Sequence, residues 1–224
     1  VLLPGGRGPA AAVPQAAAAI ADERALRRQV LRTPALWAQA TIVFAAYVGY
    51  KGMDDVALFA VDAWGYDEVE SARLVAWITW MRPLACVVAG LISDRVRAST
   101  VLPLAFSLVA AGEAALWLVP GDVGIAWLFA VDALTVAAAV FALRAVYFAL
   151  FAEARIPMAA TGAAIGAVSV VGFLPELFVN AAGGALIDAA PGGLGHQRFA
   201  GCLAAAALVG VVASLAFRRL ARRS

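Results

Sequence analysis

The stretch "GYKGMDD", residues 49–55, places one lysine and two aspartates inside an apolar run. Lys51 precedes Asp54 by three residues and Asp55 by four, so in a helix the three side chains lie on neighbouring positions of one face. One lysine cannot neutralise two carboxylates, which leaves a carboxylate for a proton, a cation or a solute. A self-contained salt bridge that faces the rest of the protein is the alternative interpretation.

Arg82 is the second candidate for binding a solute. It lies about 16 Å into its apolar run at the helical rise of roughly 1.5 Å per residue, and Pro83 follows it. The planar guanidinium group suits a carboxylate or another oxyanion. An internal ion pair with Asp54, Asp55 or Glu176 is equally compatible with the sequence.

Four carboxyl groups are candidates for carrying a coupling proton: Asp54, Asp55, Asp132 and Glu176. Asp132 lies about 13 Å into its run, and Glu176 directly follows Pro175. For both, pairing with an arginine or lysine is the alternative to proton exchange.

Three further ionisable residues are interpreted as structural. Arg144 is near the predicted inner end of its helix and is expected to reach back to the membrane surface. Glu113 is expected at the outer interface. His196, the only histidine of the sequence, is expected to be an exposed loop residue.

Composition indicates what must position these side chains. Of the 224 residues, 64% are hydrophobic and 14% are charged, which is far from the composition of a soluble domain. The apolar residues come in runs of about 20, the length that crosses a bilayer as a helix. Cys86 and Cys202 lie far apart in apolar runs and read as packing thiols. We therefore expect no disulfide, metal, cofactor or nucleic-acid partner.

The predicted fold is an all-α polytopic membrane protein with six transmembrane helices. Residues 1–33 are expected to be a cytoplasmic linker with a short amphipathic helix, 34–218 a six-helix bundle and 219–224 a basic tail. Val1 stands where a methionine would begin a chain, so we expect a fragment. The predicted spans are 35–62, 72–93, 100–119, 123–150, 157–180 and 198–217.

Arginine placement predicts the orientation. With the first segment in the cytoplasm, the inner loops hold twelve arginines and the outer loops hold two, Arg73 and Arg198. This bias predicts a cell (inner, plasma) membrane protein with both termini in the cytoplasm.

Burying the charges has a cost that indicates function. Three unpaired charges in the first span would cost on the order of 8–10 kcal/mol against lipid. They must therefore pair, lose their charge or line a hydrated cavity.

Two groups of motifs resemble the major facilitator superfamily. "GLISDRVR" (90–97) resembles its G-x-x-x-D-R-x-G-R loop at Gly90, Asp94, Arg95 and Arg97, where the family has a gating role. "YKGMDD" and "WITWMRP" resemble helices 7 and 8 of nitrate/nitrite-porter-like and related members. Residues 143–178 and "GGALIDAAPGGLGHQRF" resemble helices 10 to 12.

The resemblance covers about residues 34–217 and implies the C-terminal six-helix half, with two inverted three-helix repeats. In the family, the first helix of each repeat lines the cavity and the second faces the other half. The implied function is secondary active transport by alternating access, with a coupling proton as symport partner. The implied solute is a small polar or anionic molecule, an organic anion or a zwitterion, bound by Lys51, Asp54, Asp55 and Arg82. The implied partner is the N-terminal six-helix half.

Other functions are weighed against this one. A stand-alone six-helix protein could form the pathway as a homodimer, and a membrane sensor or scaffold would transport nothing. An intramembrane enzyme is not expected, because no G-x-S-x-G motif occurs. In addition, Asp54 and Asp55 point about 100° apart on a helix, which is poor geometry for a catalytic pair.

Overall fold

We describe the fold from a computed structural model, in which residues 22, 24–190 and 192–222 are described. Among these residues every regular element is a helix. The linker predicted for residues 1–21 lies outside them. Residues 24–31, within the predicted amphipathic segment, form a helix that we number α1.

The α-helices follow in chain order. They are α2 (Pro34–Gly52), α3 (Val56–Trp64), α4 (Glu68–Arg95), α5 (Ala98–Leu118), α6 (Ala126–Val146), α7 (Leu150–Glu153), α8 (Met158–Gly172), α9 (Val179–Asp188) and α10 (Leu194–Ala221). Short 3₁₀ turns lie at Met53–Asp55, Val123–Ile125, Tyr147–Ala149 and Leu174–Leu177.

Five helical segments of the described chain are long and apolar enough to cross a membrane. These are Glu68–Arg95, Ala98–Leu118, Ala126–Glu153, Met158–Asp188 and Leu194–Ala221. The segment from α2 to α3 is helical but is not among them, and it carries Lys51 and three aspartates. The structure therefore supports five of the six predicted spans.

Two of the predicted spans, 35–62 and 157–180, are broken by a 3₁₀ turn that contains acidic residues. Asp54 and Asp55 belong to the turn Met53–Asp55, and Glu176 belongs to the turn Leu174–Leu177. Gly52 precedes the first turn, and Pro175, which lacks an amide hydrogen, lies in the other. Interrupted helices of this kind expose backbone and polar side chains at membrane depth.

Two helix ends differ from the predicted boundaries. α4 begins at Glu68 rather than at 72 because Asp67 and Glu70 form a capping box, in which the Glu70 amide donates to Asp67 Oδ1 over 2.7 Å. α10 begins at Leu194 rather than at 198, so the predicted last loop is too long. This shift moves His196 from the loop into the helix.

Packing leaves some helices enclosed and others open. α10 packs along α5 and α2, and α6 packs along α4 and α5. Because lipid is as apolar as leucine, such contacts depend on close packing rather than on the hydrophobic effect. α4 is the exception: 11% of its apolar window is buried, against 44% for α10.

Contacts between loops gather them into two groups. Arg97 pairs with Glu153 at 3.4 Å, which joins the α4–α5 loop to the α7 end. Gln197 donates to the Val119 carbonyl over 3.0 Å, and the Tyr66 hydroxyl donates to the Ala126 carbonyl over 2.8 Å. Burial and the nearby Glu70 raise the pKa of Tyr66, so its hydroxyl remains a donor. Loops predicted on one side of the membrane thus contact one another.

Candidate functional site

The 3₁₀ turn Met53–Asp55 directs its two aspartates into different surroundings. Gly52 lets the helix lie close to α10 at this point, because a Cβ at this position would overlap the side chain of Leu203. The Asp54 side chain is 53% exposed and the Asp55 side chain is 13% exposed. Adjacent residues therefore serve two separate polar clusters.

Asp54 belongs to the Lys51 cluster, which we define as Tyr47, Lys51, Asp54, Glu176 and Asn180. Lys51 Nζ lies 2.7 Å from Asp54 Oδ2 and 3.6 Å from Glu176 Oε1. The Tyr47 hydroxyl donates to Glu176 Oε2 over 2.6 Å, and Asn180 Nδ2 donates to Asp54 Oδ2 over 3.0 Å. The cluster thereby joins the breaks of two predicted spans.

An open cavity of about 220 Å³ adjoins this cluster. Its polar walls are Lys51, Asp54, Asp55 and Asn180, and Gly183 and Gly184 of α9 leave one wall without bulky side chains. The volume admits several water molecules or part of a small solute. Lys51 and Asp54 therefore pair with each other and also face a space that a ligand can enter.

Arg144 lies beside the Lys51 cluster, so its expected reach to the membrane surface is wrong. Its guanidinium carbon lies 3.8 Å from the Tyr50 ring centre and 5.2 Å from that of Tyr47. One buried guanidinium nitrogen, Nη1, has no hydrogen-bond acceptor among the described residues. The two tyrosine rings hold the cation inside the helix bundle by cation–π contact and leave a donor available.

Asp55 belongs to a second cluster, the His196 triad of Asp55, His196 and Asp62. His196 Nδ1 lies 2.8 Å from Asp55 Oδ2, and Nε2 lies 3.0 Å from Asp62 Oδ2. The ring is fully buried and stacks on Phe59 with 4.9 Å between ring centres. The prediction that His196 is an exposed loop residue is therefore wrong, because α10 begins before it and packs its ring against Phe59 and Asp62 of α3.

A small cavity of about 30 Å³ lies beside the triad, and further carboxyl groups line it. Asp55, Glu113, Asp132 and His196 all line it. Glu113 is 7% exposed and therefore faces this cavity rather than solvent, while its position near the outer interface stays a prediction. Asp132 Oδ2 is buried without a hydrogen-bond partner among the described residues.

The remaining predicted site residues lie elsewhere. Arg82 is exposed on α4, with its guanidinium carbon 6.0 Å from the Phe141 ring centre, and it forms no ion pair with any described residue. Its alternative partners Asp54, Asp55 and Glu176 bind other groups. In the predicted gating loop, Arg97 binds Glu153, while the exposed Asp94 and Arg95 have no ion-pair partner in the described chain.

Sequence reasoning missed several residues of the two clusters, although spacing offered signals for some of them. Tyr47 precedes Lys51 by four residues and Asn180 follows Glu176 by four, so each pair shares a helical face. Asp62 follows Asp55 by seven residues, two turns along the same face. No local pattern indicated that Arg144 or His196 would join them.

Comparison with known proteins gives one similar protein, the inner membrane protein YihN of Escherichia coli strain K12. The two are 27% identical over 198 residues, which cover 87% of this chain and 47% of YihN. The chain thus spans about half the length of this curated relative. No protein-family model matches the chain, and neither does any solved structure. The similarity and the five apolar helical segments support a membrane protein with several apolar helices, consistent with an inner membrane location.

Proposed function

We propose that this chain is the C-terminal six-helix half of a secondary active transporter of the major facilitator superfamily. It moves a small polar or anionic solute by alternating access, with a proton as coupling ion. The observation that carries the proposal is the cavity of about 220 Å³ walled by Lys51, Asp54 and Asn180 at the break between α2 and α3. A charged cavity at an interrupted apolar helix is the usual form of a transport site.

The charges around the cavity favour a solute with an anionic group. Lys51 is shared between Asp54 and Glu176, whereas Arg144 has no ion-pair partner among the described residues. A guanidinium that is stacked on aromatic rings and lacks a carboxylate is free to bind an oxyanion. An organic anion or a zwitterion therefore fits better than a cation. Arg82 is exposed away from this cluster. It would contact solute only at an interface with the N-terminal half or with a second copy of the chain.

The exposed apolar faces of two helices favour a protein partner that packs against them. Two of the five candidate spans, α4 and α8–α9, bury 11% and 28% of their apolar windows, less than the other three. α4 carries the exposed Arg82 shortly after the exposed Trp77 and Trp80. Because an arginine facing lipid is costly, we place the N-terminal half against this face. A second copy of the chain is the alternative occupant.

We extend the proposal to topology. The broken segment Pro34–Trp64 is the first of six crossings, because the cluster and the triad satisfy its charges within the protein. Both termini lie in the cytoplasm, as arginine placement indicates. The protein is proposed to be a transporter and not an enzyme, sensor or scaffold.

Uptake by proteoliposomes that contain the full-length protein tests the proposal. The probes are radiolabelled small carboxylates, phosphate esters and amino acids, each with and without a pH gradient. We expect uptake of at least one probe, its loss in Lys51→Ala and its retention in the exposed control Arg219→Ala. No uptake of any probe, or unchanged uptake in Lys51→Ala at equal protein levels, would overturn the proposal.

The same reconstitution separates the two alternatives. Crosslinking of this chain alone in membranes is expected to give no stable homodimer with uptake, whereas such a dimer would favour the stand-alone form. Loss of flux in Arg144→Gln, with normal folding, would argue against a sensor or scaffold.

A further inference from the structure

We propose that the His196 triad is a proton-binding site, in which a doubly protonated imidazole bridges the carboxylates of Asp55 and Asp62. Of these residues, Asp55 also lines the open cavity beside Lys51. The coupling role that we give to this site depends on the proposed transport function. The proton site itself depends only on the geometry of the triad.

The first step is the hydrogen-bond geometry. Each ring nitrogen of His196 faces one carboxylate oxygen, at 2.8 Å for Nδ1 and 3.0 Å for Nε2. A neutral imidazole has one N–H group, so its second nitrogen would present a lone pair to a carboxylate oxygen. A proton on each nitrogen turns both contacts into charge-assisted hydrogen bonds.

The second step is the exposure of the three members. The Asp62 side chain is 38% exposed, His196 is fully buried and Asp55 is 13% exposed. Asp55 also lines the open cavity beside Lys51. The triad thus connects the more accessible end of α3 with the proposed solute cavity, and the histidine is the buried link between them.

The third step is the charge around the ring. Within the described chain, the other titratable groups that line the small cavity with His196 are Glu113 from α5 and Asp132 from α6, together with Asp55. On the open side, Lys51 and Asp54 share a cavity with Asp55. The surroundings of the imidazole are therefore acidic on both α5 and α6, which favours a positively charged ring.

The consequence is mechanical as well as chemical. His196 lies in the first turn of α10, and its two partners lie in the 3₁₀ turn and in α3. Loss of one proton leaves a ring nitrogen facing a carboxylate without a hydrogen, which weakens this attachment of α10. Proton release and movement of the helix break are therefore linked.

Nuclear magnetic resonance of the ring tests the proton site without any solute. Because His196 is the only histidine of the 224-residue sequence, ¹⁵N-histidine labelling of this chain, purified through a tag without histidine, reports this ring alone. We expect two protonated ring nitrogens at neutral pH in the wild type and one in Asp62→Asn. The exposed neighbour Arg198 gives the control Arg198→Gln, which should match the wild type. One protonated nitrogen in the wild type, or two in Asp62→Asn, would overturn the assignment.

A transport assay tests the coupling role separately. For a probe solute that the wild type transports, His196→Gln should retain exchange at equal pH and lose accumulation driven by a pH gradient. Full gradient-driven accumulation in His196→Gln would refute the coupling role. A wild type that moves none of the probes counts against the proposed function instead, and the ring measurement still decides the proton site.

Discussion

The Lys51 cluster and the His196 triad begin at neighbouring residues, Asp54 and Asp55, and differ in almost every physical respect. The Lys51 cluster faces an open cavity, and both of its carboxylate side chains are 53% exposed. The triad has a fully buried ring at its centre, which is also stacked on Phe59. The break between α2 and α3 therefore contributes one aspartate to a cluster that faces an open cavity and the next aspartate to a cluster with a buried histidine at its centre.

This difference separates binding from stability. Lys51 is 12% exposed, but both of its carboxylate partners are 53% exposed. Ion pairs that water can screen in this way contribute about 0–1 kcal/mol, so the Lys51 cluster can rearrange around a solute at little cost. Removing one partner of a buried charged network costs about 3–5 kcal/mol, because the remaining charge is left unpaired. We therefore expect substitutions in the triad to change folding as well as proton coupling, and substitutions in the Lys51 cluster to change transport with little effect on folding.

The largest effect is expected for the centre of the triad. His196→Ala leaves both carboxylates without a partner and opens a space beside Phe59, so it should lower the free energy of unfolding by about 3–5 kcal/mol. An SDS titration of the chain in bicelles measures this change. Arg198→Gln, two residues along α10 and exposed, is the control and should lie within about 0.5 kcal/mol of the wild type. A loss below about 1 kcal/mol for His196→Ala would show that the triad does not stabilise the fold.

The adjacent aspartates give the most direct comparison. Asp55→Asn weakens a hydrogen bond to a buried charged ring and should destabilise the chain by about 1.5–3 kcal/mol. Asp54→Asn weakens an ion pair at an exposed carboxylate and should cost at most about 1 kcal/mol. The same SDS titration compares the two variants, which differ by one position and share one chemical change. Equal losses for both would contradict the separation into two clusters.

Alanine substitutions at two glycines of α2 test whether α10 packs closely against the helix break. A Cβ at Gly52 would overlap Leu203, whereas a Cβ at Gly49 would lie 3.5 Å from Val140, an ordinary contact distance. Gly52→Ala should therefore cost about 1–3 kcal/mol through overpacking. Gly49→Ala should be neutral or stabilising by up to about 1 kcal/mol, since alanine favours a helix interior. The opposite order would mean that α10 does not pack against the break as described.

Much of the architecture could be predicted because the runs of apolar residues are long. The predicted boundaries of the span 100–119 lie close to those of α5, Ala98–Leu118. Pairing of Lys51 with Asp54 could also be predicted, since it depends on local helical spacing. These features are fixed within one or two helical turns of sequence.

The rest of the site depends on contacts between distant segments. His196 meets Asp55 across 141 positions, and Glu176 meets Tyr47 across 129. Its neighbouring glycines made His196 look like a loop residue, but α10 starts before it and carries it under α3. Arg144 was misread for a related reason, because the rings of Tyr47 and Tyr50 that hold it belong to another helix. Spacing along a chain cannot report such pairings.

The smallest effect on stability is expected for Asn180, at the edge of the Lys51 cluster. Substituting this residue gives the sharpest test of the difference between the two clusters. Asn180 is exposed and donates one hydrogen bond, over 3.0 Å, to a carboxylate oxygen that Lys51 already binds. Asn180→Ala should therefore change the free energy of unfolding by less than about 1 kcal/mol.

Its effect on transport should be larger than its effect on folding, because Asn180 lines the open cavity and orients Asp54 toward it. We expect a higher solute concentration for half-maximal uptake, with the maximal rate retained, in the proteoliposome assay. Thr161→Ala on α8, which removes an exposed hydroxyl bonded within its own helix, is the control and should leave uptake unchanged. Asn180→Ala could instead destabilise the chain as strongly as Asp55→Asn and leave uptake unaltered. That result would mean that the Lys51 cluster stabilises the fold and does not bind solute, which contradicts the proposed difference between the two clusters.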